Sequence, residues 1–194
     1  MKEKIRCPWA GNIPIYIDYH DNEWGRPVRD DDKLFEMLIL ETMQAGLAWI
    51  TVLNKREAFR EAFDGFDPHK IVRYDDVKVQ ELMTNEKIIR NRLKMNAAIH
   101  NARIFLEIVE KYGSFNKMIW EYVDYTPITG NWEKMEDIPA TTPLSDKISK
   151  DLKKMGFKFI GSTTMYAFMQ SVGMVNDHIV ECFVYEEILN EKSH

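Results

Sequence analysis

Apolar residues recur along this chain every three or four positions, the spacing that lines one face of a helix, and no stretch shows the convincing alternation of a half-buried strand. Over 33–45 the period runs through Leu34 and Leu38, with Asp30, Asp31 and Asp32 placed to cap the helix and complement its dipole, and Gly46 breaks or bends it. A second helix is predicted over about 48–63. Asp67-Pro68 opens a short third in cap-then-proline order, and two short helical segments follow. The longest stripe is 91–112, where Ala98, Ile99, Ala102, Phe105, Leu106 and Val109 share one broad face and Gly113 stands where a left-handed cap belongs. Ser114 caps a further turn or two through Trp120. Ser145 is expected to cap a lysine-rich helix ending at Gly156, and another helix spans about 162–172 before Gly173.

Two segments lack a period. Residues 1–29 carry Trp9, Tyr16, Tyr19 and Trp24 among Gly11, Pro14, Gly25 and Pro27, which predicts an irregular aromatic arm. Residues 125–143, rich in Pro, Thr, Gly and Asn, predict a long connection at the seam of two lobes. With no internal repeat, the expectation is an all-α protein, a single domain over 1–194 built from two helical lobes.

Composition narrows the class without naming a function. A chain of 194 residues is long enough to bury a substantial core without disulfides. No apolar run approaches the roughly 20 residues of a membrane span, and Met-Lys-Glu-Lys-Ile-Arg-Cys-Pro-Trp lacks a signal peptide's apolar region, so a soluble, cytoplasmic monomer without a membrane partner is expected. The net charge of −5 argues against indiscriminate binding to polyanions, though a local basic face remains open.

Three constellations carry chemistry. The stretch Val175-Asn176-Asp177-His178-Ile179-Val180-Glu181-Cys182 places a histidine and a cysteine four apart, where a helix would set both on one face; Cys7 and His20 form a second pair at the opposite end of the chain. Should the pairs meet they make a Cys2His2 tetrahedron, while buried thiols and core histidines remain the alternative. His69 and His100 read as surface or helix-side residues and His194 as the terminus. The second constellation is the turn Gly156-Phe157-Lys158-Phe159-Ile160-Gly161 between two helices, its glycines freeing the backbone and the amides of the second helix suiting a phosphate. Lys147, Lys150, Lys153, Lys154 and Lys158 outnumber Asp146 and Asp151 beside it. An ordinary turn with a solvated lysine face explains it equally well. Third, Glu41 falls on one helical face with Leu34, Leu38 and Ala45, and a carboxylate there is costly without partners; a buried acid tied to a core tyrosine, histidine or arginine is the plainer reading.

The turn and the 175–182 stretch together resemble the helix-hairpin-helix superfamily of DNA glycosylases, and the whole chain is most similar to its constitutive branch that excises 3-methyladenine. The carrying blocks are Tyr16-Ile17-Asp18-Tyr19-His20-Asp21-Asn22-Glu23-Trp24-Gly25, Leu34-Phe35-Glu36-Met37, Gln44-Ala45-Gly46-Leu47-Ala48-Trp49-Ile50-Thr51-Val52-Leu53, Gly156 to Gly161, and Val175-Asn176-Asp177-His178. The resemblance implies a monofunctional enzyme for base excision repair that flips N3-methyladenine out of duplex DNA and hydrolyses its glycosidic bond. It implies Glu41 as the base-reading glutamate, Tyr16, Tyr19 and Trp49 around the base with Trp9 and Trp24 nearby, and DNA contacts from Gly156, Phe157, Lys158, Gly161 and Lys154. Leu47, on the compact turn after Glu41, is either the wedge that fills the gap in the duplex or simply core. Cys7, His20, His178 and Cys182 match a structural zinc site that would join the arm 1–29 to the segment 175–194. Many members of the wider superfamily carry an aspartate where this chain has Asn176, with Asp177 one residue out of register. Two competing functions follow: a non-catalytic sensor of alkylated DNA using the same pocket, and a zinc hydrolase unrelated to DNA.

Overall fold

The computed structural model describes residues 4–191; the outermost residues of the predicted arm and of the 175–194 segment, with His194, lie outside the described residues. The helical elements are α1 (Pro14–Asn22), α2 (Asp31–Gln44), α3 (Trp49–Asn54), α4 (Arg56–Ala62), α5 (Pro68–Ile71), α6 (Asp76–Thr84), α7 (Arg92–Tyr112), α8 (Phe115–Trp120), α9 (Pro143–Met155), α10 (Ser162–Ser171) and α11 (Phe183–Glu191). Two-residue strands β1 (Ile128–Thr129) and β2 (Val175–Asn176) pair in parallel.

The core lies where α2, α7, α8 and α10 meet. α2 is buried along almost its whole length from Leu34 to Met43, and α10 packs against both α2 and α9. Phe35, Phe105 and Phe115 form a ring chain with centroids 4.8 and 4.7 Å apart, contacts of about 0.5–1.5 kcal/mol each beyond their burial. On α7 the buried face is centred on Ala98, Ala102 and Phe105, with Ile104 and Ile108 inside and Ile99, Leu106 and Val109 at its edge. Helix ends follow their caps: the side chains of Asp30, Asn91 and Ser114 accept backbone N–H groups, and Gly113 ends α7 at φ 85°.

Four expectations are corrected. The arm is not irregular: Pro14 opens α1, because a proline at the first helical position has no amide to leave unsatisfied. The helix expected over 48–63 is broken at Lys55 (φ −101°, ψ 1°) into α3 and α4. Thr142, not Ser145, caps α9; Ser145 is the reciprocal partner in a capping box and also meets Ser162 at 2.8 Å, tying α9 to the start of α10. Finally, the stretch from Val175 to Cys182 is not helical. Its first two residues pair with the 125–143 connection, Val180 N donates to Trp132 O at 2.9 Å, and α11 begins only at Phe183.

Candidate active site and metal centre

The turn from α1 toward α2 is held by charge. Arg56 of α4, only 5% exposed, donates to Glu23 at 2.8 and 2.9 Å and to Glu36 at 2.7 Å, so the residue before Trp24 is tied to both α4 and α2. Against this frame the aromatic residues of the arm close on one another. Trp9 lies edge-on to Tyr16 (5.4 Å) and Trp24 (5.1 Å), and Tyr19 is tilted against Trp49 (5.5 Å).

Together they wall a cavity of about 320 Å³. The arm contributes Trp9, Tyr16, Tyr19 and Trp24; α2 contributes Glu41 and Gln44; α3 contributes Trp49; α10 contributes Ala167 and Gln170; the connection contributes Met135. Glu41 is 4% exposed. The core tyrosine, histidine or arginine that would explain it as a satisfied buried acid is not there, since Arg56 is spent on Glu23 and Glu36 and the Oε2 atom of Glu41 has no partner among the described residues. Burial pushes its carboxyl up to about 8, opposed only by the hydroxyl of Ser171. Burial, then the charge of Glu41, likewise holds the Tyr19 phenol well above its ordinary value. Two donors, the Nε1 atoms of Trp9 and Trp49, are also buried and unpartnered. A cavity with ring walls, a free carboxyl oxygen and idle N–H groups suits a flat, nitrogen-rich ring bearing positive charge.

α2 ends in the turn Gln44-Ala45-Gly46-Leu47, where Gly46 sits at φ 82° and Leu47 is 40% exposed at the cavity's outer side. Leu47 is therefore not core. The residue that shapes this turn escaped the sequence reading: Lys94, 6% exposed, donates from Nζ to Met43 O at 2.8 Å and Ala45 O at 2.7 Å. The signal was a lysine in the first turn of a helix, where the dipole disfavours a cation. Its charge instead faces the C-terminal carbonyls of α2. Ser171, Met135 and Gln170 were also missed; nothing in local sequence marks them.

The hairpin between α9 and α10 is clamped from behind. Asn101 of α7 donates to Lys158 O (3.0 Å) and accepts from Lys158 N (2.8 Å), while Ser149 donates to Ile160 O at 2.6 Å. Gly156 needs to be glycine, at φ 111°. Gly161 does not need it for its own backbone: φ is −62° and the space above it is open. The two phenylalanines divide, Phe157 buried at 2% beside Phe115 and Phe159 exposed at 40%. Lys154 is exposed, and the amides that open α10 carry no side-chain cap.

Cys7, His20, His178 and Cys182 come together from both ends of the chain, all four buried, their ligand atoms within 4.8 Å of one another. Cys7 Sγ to His178 Nδ1 is 3.4 Å, and Cys182 Sγ lies 3.5 Å from both His20 Nε2 and His178 Nδ1. A tetrahedral ion with its usual ligand distances would space sulfur and nitrogen by about 3.5 Å, so the donor set fits a metal. The outer ring nitrogens are held, His20 Nδ1 against Asp21 Oδ1 at 2.8 Å and His178 Nε2 against Trp24 O at 2.9 Å, as metal-bound imidazoles require. Arg6 in turn grips Asp21 at 2.7 Å. His178 and Cys182 meet through the turn after β2, Cys182 N donating to Ile179 O, and not through a helical face.

Comparison with known proteins agrees with this geometry. Residues 9–185 match the family described as methyladenine glycosylase. The chain is 49% identical over 177 residues to the DNA-3-methyladenine glycosylase of Haemophilus influenzae, covering 91% of this chain and 96% of that protein. It is 47% identical over 180 residues to DNA-3-methyladenine glycosylase 1 of Escherichia coli, covering 93% and 96%. It also superposes with a TM-score of 0.89 on a variant of 3-methyladenine DNA glycosylase I solved in complex with 3-methyladenine, at 36% identity over 92% of this chain and 96% of that one.

Proposed function

The chain belongs to the methyladenine glycosylase family, and from that premise we propose that it excises N3-methyladenine from alkylated duplex DNA by hydrolysing the N-glycosidic bond, as a monofunctional enzyme of base excision repair. The observation that carries the reading is the unpartnered Oε2 atom of Glu41 inside a ring-walled cavity. An adenine methylated at N3 in DNA carries a positive charge spread over a flat ring. The faces of Tyr16, Tyr19 and Trp49, with Trp9 and Trp24 behind them, attract that charge by about 0.5–2 kcal/mol, which unmodified adenine forfeits. Glu41 accepts a hydrogen bond from the purine's edge, and a cation beside it favours the ionised carboxylate.

In the reaction the bond from C1′ to the purine breaks with its electron pair on the base, which leaves neutral; water adds to C1′ and releases a proton to solvent. A leaving group that starts as a cation needs no strong general base, so binding that tightens toward the transition state suffices. The side chains agree with that economy. Asn176 is fully buried and bonded to Tyr185 O and His178 N, and the Asp177 carboxylate is occupied by three donors. No lysine lines the cavity among the described residues, which fits hydrolysis without a covalent lyase step.

The duplex is held by Gly156, Lys158, Gly161 and Lys154, with a phosphate at the uncapped amides of α10 and the open face of Gly161 admitting the backbone. Phe157 supports the hairpin from inside. Leu47, exposed on its clamped turn, is the wedge that occupies the gap left by the flipped base. Cys7, His20, His178 and Cys182 would hold a structural Zn2+; with four protein donors there would be no position for water, so the ion would supply a cross-link between the chain's ends. We read 1–194 as one glycosylase domain working as a cytoplasmic monomer on DNA, with no membrane partner; among the described residues no helix is long and apolar enough to cross a membrane.

Incubation with methylated duplex DNA followed by chromatography of the supernatant should show free 3-methyladenine. Binding of that DNA with no base released would replace the enzyme with a sensor.

A further inference from the structure

We propose that the side-chain amide of Gln170 reads the substituent at position 6 of the flipped purine, and that Asp177 is the positioning residue that decides which end of that amide faces the cavity. The proposal rests on the glycosylase reading above and extends it to how the same pocket separates 3-methyladenine from 3-methylguanine.

Asp177 is 2% exposed. Its Oδ1 accepts from Trp132 Nε1 at 2.7 Å; its Oδ2 accepts from the Tyr166 hydroxyl at 2.5 Å and from Gln170 Nε2 at 3.0 Å. A carboxylate offers acceptors alone, so the Gln170 amide must turn its NH2 toward it; the flipped amide would set oxygen against oxygen. Burial, then the bond to Asp177, raises the Tyr166 phenol far above its ordinary value and keeps it a donor. A side chain at Gly130 would come within 2.2 Å of Trp132 Nε1 and 2.7 Å of Asp177 Oδ1, and Gly130 N is itself bonded to Asn176 O at 2.9 Å. The backbone of Gln170 is fixed as well, its carbonyl accepting Gly25 N at 3.0 Å.

What remains of Gln170 is its amide oxygen, which has no partner among the described residues and belongs to a side chain lining the same cavity as Glu41. The pocket thus offers two acceptors held by independent frames, Glu41 on α2 and Gln170 on α10. The 6-amino group of an adenine has two N–H bonds to give. A guanine presents O6 there, and an oxygen facing a desolvated acceptor is rejected more strongly than a missing methyl group would be. The selectivity comes from the orientation of one amide, set by a carboxylate that does not touch the base.

The test uses the full-length protein on duplex DNA containing both lesions, with kcat and KM measured for release of each base and equilibrium binding of free 3-methyladenine and 3-methylguanine beside it. Wild-type protein should prefer 3-methyladenine. Gln170→Leu should lower that preference by about tenfold, mainly through KM and base affinity. Asp177→Asn, which retains every pocket side chain but lets the amide flip, should lower it too, while Tyr166→Phe should preserve it. An unchanged preference in Gln170→Leu overturns the reading role, and an unchanged preference in Asp177→Asn overturns the positioning role. If Asp177→Asn does not fold, Gln170→Leu alone decides the reading role and inverted preference in Gln170→Lys, which replaces the acceptor with a donor, supports it. A wild-type protein that releases neither base sinks the glycosylase reading instead.

Discussion

At the scale of single residues the site is defined by atoms left without partners. Glu41 shows what that costs. With its pKa raised from 4.5 to about 8 in the folded protein, the carboxyl is favoured in its protonated form, so folding stability falls as pH rises between those values. Glu41→Gln should therefore leave the melting temperature of the free protein unchanged near pH 4 and raise it progressively up to about pH 8, beyond which the gain is constant. The same variant should excise 3-methyladenine at least about tenfold more slowly at pH 7.5, the cost of losing a charge-assisted hydrogen bond. A flat difference in melting temperature across pH 4–8 would show that Glu41 is not held protonated. Glu41 was legible in sequence because an acid on the stripe of Leu34, Leu38 and Ala45 stands out. Gln170 was not, since a glutamine near a helix end is unremarkable until Asp177 and the cavity are placed on either side of it.

Among the elements, the two turns proposed to meet the duplex are each held by α7. Lys94 near its start binds the carbonyls that close α2, and Asn101 two turns on binds both backbone poles of Lys158 in the hairpin. One helix thus links the turn that carries Leu47 to the hairpin that leads into α10. Gly161 offers a clean probe, because its φ of −62° accepts any residue and, among the described residues beyond its chain neighbours, nothing lies within 4 Å of an added Cβ. Gly161→Asp should fold with an unchanged melting temperature and bind free 3-methyladenine normally, yet bind duplex DNA about tenfold more weakly with a shallower salt dependence. Equal duplex affinity in the variant would move the phosphate elsewhere. The hairpin itself could be read from Gly156, the lysines and the helix spacing on either side. That Phe157 turns inward and Phe159 outward could not, because the two differ only in which side of the turn meets Phe115.

For the whole molecule, Cys7, His20, His178 and Cys182 bring residues from near both ends of the chain together, beside the bond from Phe183 N to Ile5 O and the ion pairs of Arg26 with Glu187 and Glu191. A cross-link over that span acts mainly by restricting the unfolded chain. Chelation at neutral pH should lower the melting temperature by at least about 10 °C, several kcal/mol at roughly 2–4 °C each, with one zinc ion released per chain and activity lost only as the fold is lost. Retained folding with immediate loss of excision would favour a catalytic metal.

Most of the helices, their order, the glycine and proline punctuation, Glu41 with the rings around it and the Cys/His set were legible in the sequence itself, because a 3.6-residue period, a capping side chain and a block of matched residues are local properties. Even there the tertiary structure intervened: Pro14 made a helix of the aromatic arm, and the 175–182 stretch paired with the connection at Ile128 and Thr129 and brought His178 to Cys182 by a turn. What only the tertiary structure could decide were relations between segments far apart in the chain. The free Oε2 of Glu41 depends on the arm, α3, α10 and the connection closing a cavity around it, and the form of the turn before Leu47 on Lys94 holding it from about fifty residues away. The aim of the Gln170 amide depends on an aspartate that α10 and the 125–143 connection hold between them. Such outcomes depend on which partner reaches a polar atom first in three dimensions, and no spacing along the chain encodes that competition.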